Sequence, residues 1–196
     1  MDVKDAIVKL REMTGAGMMD CKKAIMEAQG DIKAAQDLLR QRGLDIAKKK
    51  SGREAKEGQI VSYIHGGAKL GVMVEINCES DFVARNEEFQ RFARDIAMQI
   101  AAAHPLYVSS DELPAEEIAK EKAGALQELK GKPANVQEKI IEGRLKKRFE
   151  EICLLNQKFI KDDSRTVQDY LTEMIAKIGE NIIIRRFVRY ELGGDR

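Results

Sequence analysis

The chain has 196 residues, 43% apolar and 34% charged, with 34 basic against 33 acidic side chains and a formal net charge of +1. That length suits one medium domain or a small and a medium one, and the charge balance gives no general pull toward nucleic acid or a membrane surface. No run of about 18 apolar residues is present, and the charged start Met1-Asp2-Val3-Lys4-Asp5 leads into no signal core. Cys21, Cys78 and Cys153 are odd in number, widely spaced and without a zinc or redox pattern. The expectation is a cytoplasmic protein with reduced thiols and no membrane association.

In chain order, residues 1–43 read as three short helices. Val3, Ile7, Leu10 and Met13 share one helical face, Thr14-Gly15-Ala16-Gly17 breaks it, and Met18, Cys21, Ile25 and Ala28 make a second face ending at Gly30. Asp31 can cap a third helix, with Ile32, Ala35, Leu38 and Leu39 inward and Gly43 as its stop. Residues 44–57, with Lys48-Lys49-Lys50, Arg53 and Lys56, read as a basic linker, solvated rather than RNA-binding because no aromatics accompany the charges. The period then becomes two. Ile60, Ser62 and Ile64 alternate with Val61 and Tyr63, Gly66-Gly67 signals a hairpin, and Leu70, Val72, Val74, Ile76 and Cys78 share one face of a second strand.

Glu79 to Arg85 is irregular in pattern. Asn86 can cap a helix with Phe89, Phe92, Ala93, Ile96, Ala97 and Ile100 inward, ending at His104-Pro105. Pro114 opens a helix to about Lys130, and another runs from about Asn135 to Leu155; the pair predicts a helical hairpin over 114–155. Asp163 or Ser164 is positioned to cap a last helix closed by Gly179, and residues 182–191 read as a third strand whose face Ile182, Ile184, Val188 and Tyr190 is interrupted by Arg186. The resulting fold class is α+β, with a core over residues 58–196 that contains a small antiparallel sheet of about three strands packed on helices.

Catalytic chemistry is poorly supplied. His65 and His104 have no nucleophile in a motif setting, and Gly15-Ala16-Gly17 follows a helix and lacks the rest of a phosphate-binding loop, so neither enzyme activity nor a metal or cofactor is expected. Met18 and Met19 are adjacent, so one is expected inward and one outward; an exposed methionine suits a protein contact. Asp81-Phe82 has two readings: a turn residue beside a core plug, or a charge beside a projecting aromatic anchor.

Three segments carry a resemblance. Thr14-Gly15-Ala16-Gly17-Met18-Met19-Asp20-Cys21-Lys22-Lys23-Ala24, the run from Glu75 through Asn77-Cys78-Glu79-Ser80-Asp81-Phe82-Val83-Ala84-Arg85-Asn86, and Ile178-Gly179-Glu180-Asn181-Ile182-Ile183-Ile184-Arg185-Arg186-Phe187 resemble, in order, signatures of the bacterial elongation factor Ts family in its short, single-core form. Ser80 stands where the family often has threonine, which keeps the hydroxyl, and Lys158 where proline is common, which bears on one loop. The resemblance implies a ubiquitin-associated-like three-helix domain at the N-terminus, a homodimer, and guanine nucleotide exchange on elongation factor Tu during protein biosynthesis. Met18 and Met19 would then touch the nucleotide domain of that GTPase. Ser80, Asp81, Phe82 and Val83 would bind near its nucleotide, with Asp81 and Phe82 displacing Mg²⁺. A three-stranded sheet has edges that tend to be paired, and the third strand holds no cysteine, so the expected dimer is non-covalent. The rival readings are a scaffold that merely holds a partner, and an RNA-binding module using Lys48-Lys49-Lys50 with Arg185, Arg186 and Arg189.

Overall fold

The structure is a computed structural model describing residues 2–194 apart from 130 and 132. Among these residues the fold is α+β, with eight α-helices, a three-stranded antiparallel sheet and a two-stranded one. Contacts divide the chain into two compact units. One comprises Met1–Gly58, Asn77–Gln90 and Leu171–Ile183, the other Gln59–Ile76, Arg91–Tyr170 and Ile184–Arg196.

The first unit opens with helices α1 (Val3–Thr14), α2 (Met18–Glu27) and α3 (Ile32–Lys50). Their apolar stripes meet: Ala6, Ile7 and Leu10 pack with Cys21, Ala24, Ile25 and Ala35, and Ile32, Leu38 and Leu39 close over them. Gly15 ends α1 in the left-handed region at φ 64°, its N–H donating to the Arg11 carbonyl at 2.7 Å. The Asp31 carboxylate caps α3 by accepting from Lys33 N at 2.8 Å and Ala34 N at 3.1 Å. Arg42 reaches both Glu27 oxygens at 2.6 Å, tying α3 to α2.

Gly43 does not stop the third helix, which runs seven residues further to Lys50. A Cβ at Gly43 would lie 3.7 Å from Thr172 and 3.8 Å from Ala176, ordinary packing distances, so this glycine faces helix α8 (Val167–Ile178). Residues 44–50, expected to begin a linker, are therefore about the last two turns of a helix. Lys50 donates to the Gly179 carbonyl at 2.5 Å, where the carbonyl end of α8 favours a cation.

The second unit holds most of the sheet, whose strands β1 (Glu57–Ile64), β2 (Leu70–Cys78) and β5 (Ile183–Glu191) lie in the order β1-β2-β5. Val72 and Val74 are buried on one face of β2, as are Phe92, Ala93, Ile96, Ala97 and Ile100 on helix α5 (Glu87–Ala103). The other sheet face carries Ile60, Ile64, Met73, Val188 and Tyr190, all exposed, and an Arg186–Glu75 pair at 2.7 Å. Ile184 is buried whereas Arg185, Arg186 and Val188 are all exposed. The alternation thus breaks at the arginine pair, and Val188 and Tyr190 do not share the face of Ile184 as expected.

Helices α6 (Ala115–Glu128) and α7 (Ala134–Ile152) form the hairpin, anchored by Leu113, Ile152 and Cys153 with Tyr107, Ile118 and Phe149. The expected helix end at Lys130 lies outside the described residues. Strands β3 (Lys158–Phe159) and β4 (Asp162–Thr166) pair antiparallel. They displace the expected cap of α8: Asp163 and Ser164 are in β4, and Thr166 does the capping. Its hydroxyl accepts from Asp169 N at 3.1 Å while the Asp169 carboxylate accepts from Thr166 N at 3.0 Å. The Tyr170 ring stacks on Phe159 with centroids 4.6 Å apart and meets Phe92 edge-on at 5.0 Å.

Candidate partner-binding site

Both segments singled out in the sequence belong to the first unit. Met18 and Met19 open α2 behind Gly17, which offers no side-chain cap. Both are exposed, Met18 at 45% and Met19 at 62%, against the expectation that one would turn inward. Residues 21, 24 and 25 fill the core stripe of α2, so its first turn is left on the surface. Met18 lines a concavity of about 250 Å³ with Val8, Arg11 and Glu12.

Residues 81–84 are a single helical turn, α4 (Asp81–Ala84), rather than an irregular connector. Ser80 is its N-cap, the hydroxyl accepting from Val83 N at 3.4 Å. The one buried side chain of the turn is Ala84, whereas Phe82 is 85% exposed and so is no core plug. Val83 is half-buried. Asp81 is exposed and pairs with Arg85 at 2.9 Å, a surface contact of small worth.

A cluster that the sequence did not reveal holds this turn. The Glu180 carboxylate accepts from Glu79 N at 3.1 Å, from Ser80 N at 3.0 Å and from the Ser80 hydroxyl at 2.6 Å. In return Asn181 N donates to Glu79 Oε1 at 2.6 Å, and the Asn181 amide donates to the Arg53 carbonyl at 2.8 Å. The Asn181 backbone donor, with Arg53 beside it, holds the Glu79 carboxyl below the usual carboxylate range. Burial, reinforced by the Glu180 charge, pushes the Cys78 thiol up to about 11, so it is neutral at physiological pH; its Sγ donates to the Ser80 carbonyl at 3.1 Å. In the sequence its members are marked only by lying in two of the segments that carry the resemblance, with Glu180 and Asn181 directly after the helix stop Gly179, and nothing there pairs them.

A lysine links the two segments. Lys177 Nζ lies 2.6 Å from Glu88 at the start of α5, and a Cβ on Gly15 would sit 3.6 Å from the same nitrogen. The loop before Met18 and the helix after Phe82 therefore both lie beside Lys177 of α8.

Among the described residues no group of three or more His, Cys, Asp or Glu side chains is placed to hold a metal ion. None of their helices is long and apolar enough to cross a membrane. The site offers exposed apolar side chains on fixed backbone, an arrangement suited to binding rather than bond-making.

Comparison with known proteins gives a consistent result. The family model described as Elongation factor TS matches residues 22–193. The chain is 61% identical over 197 aligned positions to a protein named Elongation factor Ts from Carboxydothermus hydrogenoformans, covering 98% of this chain and 90% of that one. It is 58% identical to one of the same name from Caldanaerobacter subterraneus subsp. tengcongensis, covering 96% and 95%, and 57% identical to another from Thermodesulfovibrio yellowstonii, covering 95% and 94%. With most of its length matched by the family model and by these relatives, the chain belongs to the elongation factor Ts family.

Proposed function

We propose that this chain is a guanine nucleotide exchange factor of translation elongation, which binds GDP-loaded elongation factor Tu in the cytoplasm and speeds release of GDP. The observation that carries the reading is Phe82, a large aromatic held out to solvent on a capped and clasped turn in a protein of this family. Such a side chain gains most from entering a partner's pocket, where buried aromatic anchors often contribute about 2 kcal/mol or more.

In this reading Phe82 wedges into the GTPase beside its nucleotide. Asp81 brings a negative charge to the Mg²⁺ and phosphates, Ser80 and Val83 flank the wedge, and Met18 and Met19 dock on the nucleotide domain. The metal neutralises phosphate oxygens, so GDP and Mg²⁺ hold one another in place. Disturbing one weakens the other. Linkage requires that nucleotide weaken the factor in equal measure, which lets incoming GTP expel it. Each tenfold weakening of GDP needs about 1.4 kcal/mol of differential binding. The chain needs no cofactor for this and makes no covalent bond.

Residues 1–43 would act as the docking module and residues 58–196 as the core. A non-covalent homodimer is supported by the exposed apolar residues of one sheet face, where Ile60 is 65% and Tyr190 71% exposed. Burying it in a second copy would remove apolar surface from water. Direct RNA binding has less support, since Lys50 is engaged by Gly179, Arg186 by Glu75 and Arg189 by Glu191. A mere scaffold would give Phe82 no task.

The test is release of a fluorescent GDP analogue from elongation factor Tu, followed by stopped flow with this chain at a small fraction of the GTPase concentration. Acceleration of the whole signal, many GTPase molecules per molecule of chain, is the expected result. Release at the spontaneous rate would reject the proposal.

A further inference from the structure

Helix α4 is one turn long, and a single turn is unfavourable on its own because nucleation fixes several residues for one bond. The Phe82 ring, being exposed, contributes little to holding it. The direction in which Phe82 points therefore depends, beside the buried Ala84, on what grips the two residues before the turn.

That grip is Glu180. Its carboxylate takes three donors from residues 79 and 80, one of them the Ser80 hydroxyl at 2.6 Å. A hydroxyl has one hydrogen. With that hydrogen spent on Glu180, Ser80 can offer only a lone pair to Val83 N, which is the polarity that capping requires. The carboxylate thus fixes the position and rotamer of the cap, while the direction of the capping bond follows from Val83 N, which can only donate. An ionised carboxylate is acceptor-only and suits three donors, whereas an amide would turn an N–H₂ group toward at least one of them. The Asn181 bond to Glu79 closes the clasp from the other side.

We propose that Glu180 is a positioning residue for nucleotide release, acting through Ser80 to fix the turn that carries Phe82 and Asp81. This rests on the reading of the chain as an exchange factor.

The test compares the full-length wild-type chain with Phe82→Ala, Glu180→Gln and the double variant, in fluorescent-GDP release from elongation factor Tu, with thermal melts of each. With the chain titrated to saturation against a fixed amount of GDP-loaded GTPase, Glu180→Gln is expected to lower the maximal stimulated rate about fivefold while the half-saturating concentration of the chain stays within about twofold, a split that simple loss of folded protein would not produce, since that raises the half-saturating concentration and leaves the maximum. The double variant is expected to be no slower than Phe82→Ala, because a misdirected side chain that is already absent cannot be misdirected further. A folded Glu180→Gln protein at the wild-type rate beside a slow Phe82→Ala would overturn the positioning role and leave the exchange reading intact. So would a double variant slower than Phe82→Ala by the full factor of Glu180→Gln. A wild-type rate for folded Phe82→Ala would overturn both. Should Glu180→Gln not fold, Ser80→Ala against Ser80→Thr decides: the threonine, which keeps the hydroxyl, should release GDP faster than the alanine, and equal rates would overturn the proposal.

Discussion

The two exposed apolar segments of the first unit are mounted in different ways. Met18 and Met19 begin a ten-residue helix whose start has no side-chain cap, so their placement follows from the helix alone. Phe82 sits on a four-residue helix held from residues about a hundred positions away. Methionine is flexible and can adapt to a surface. A phenylalanine ring is stiff, and its use depends on being aimed. On the proposed function, the contrast predicts that the methionines govern affinity and Phe82 the release step.

The largest effect should come from Phe82→Ala. Stimulated GDP release should slow at least about tenfold, while the thermal transition of the free protein barely moves because little of the ring is buried. A large fall in melting temperature would show instead that the ring supports the fold. Next, Met18→Ala and Met19→Ala should each raise the half-saturating concentration by about two- to fivefold with little change in maximal rate. A drop in maximal rate without that rise would erase the contrast between the two segments. Asp81→Ala should slow release about threefold, and the defect should shrink as free Mg²⁺ is lowered, since the metal is then already leaving. An undiminished defect would remove the metal from the role of Asp81.

The smallest effect is on stability at high pH. The Cys78 thiol has its pKa raised on folding, from the ordinary 9.0 to about 11. The folded state therefore holds that proton more tightly than the unfolded chain does. The associated stability is fully present below about pH 9 and is lost as pH rises toward 11. Burial raises the Cys21 and Cys153 thiols as well, in the same direction. Urea melts should show stability falling across that window. Cys78→Ser should flatten the fall, and an equal slope in the variant would take Cys78 out of the account.

Where one periodic pattern dominated, the sequence was readable. The inward face of α5 from Phe89 to Ile100 and its Asn86 cap, accepting from Glu88 N at 2.7 Å, emerge as the spacing predicts. Errors arose where one residue type serves two purposes. Gly43 looks like a helix stop but lies inside α3, where a Cβ would make only ordinary contact with Thr172 and Ala176. Asp163 and Ser164 look like caps but belong to a short polar strand, and Thr166 takes that task. The signatures that carry the resemblance contain Met18, Met19, Asp81 and Phe82, and also Glu180, but nothing local pairs Glu180 with Ser80 across a hundred positions. Such pairing is a property of the folded chain.

On the proposed function, this chain and GDP oppose one another on the same GTPase. The most direct measurement is its dissociation constant for elongation factor Tu, determined once without nucleotide and once with saturating GDP and Mg²⁺. Much tighter binding to the nucleotide-free form is expected, by the same factor by which the chain weakens GDP. Equal affinity for the two forms would contradict that opposition and leave the chain a scaffold.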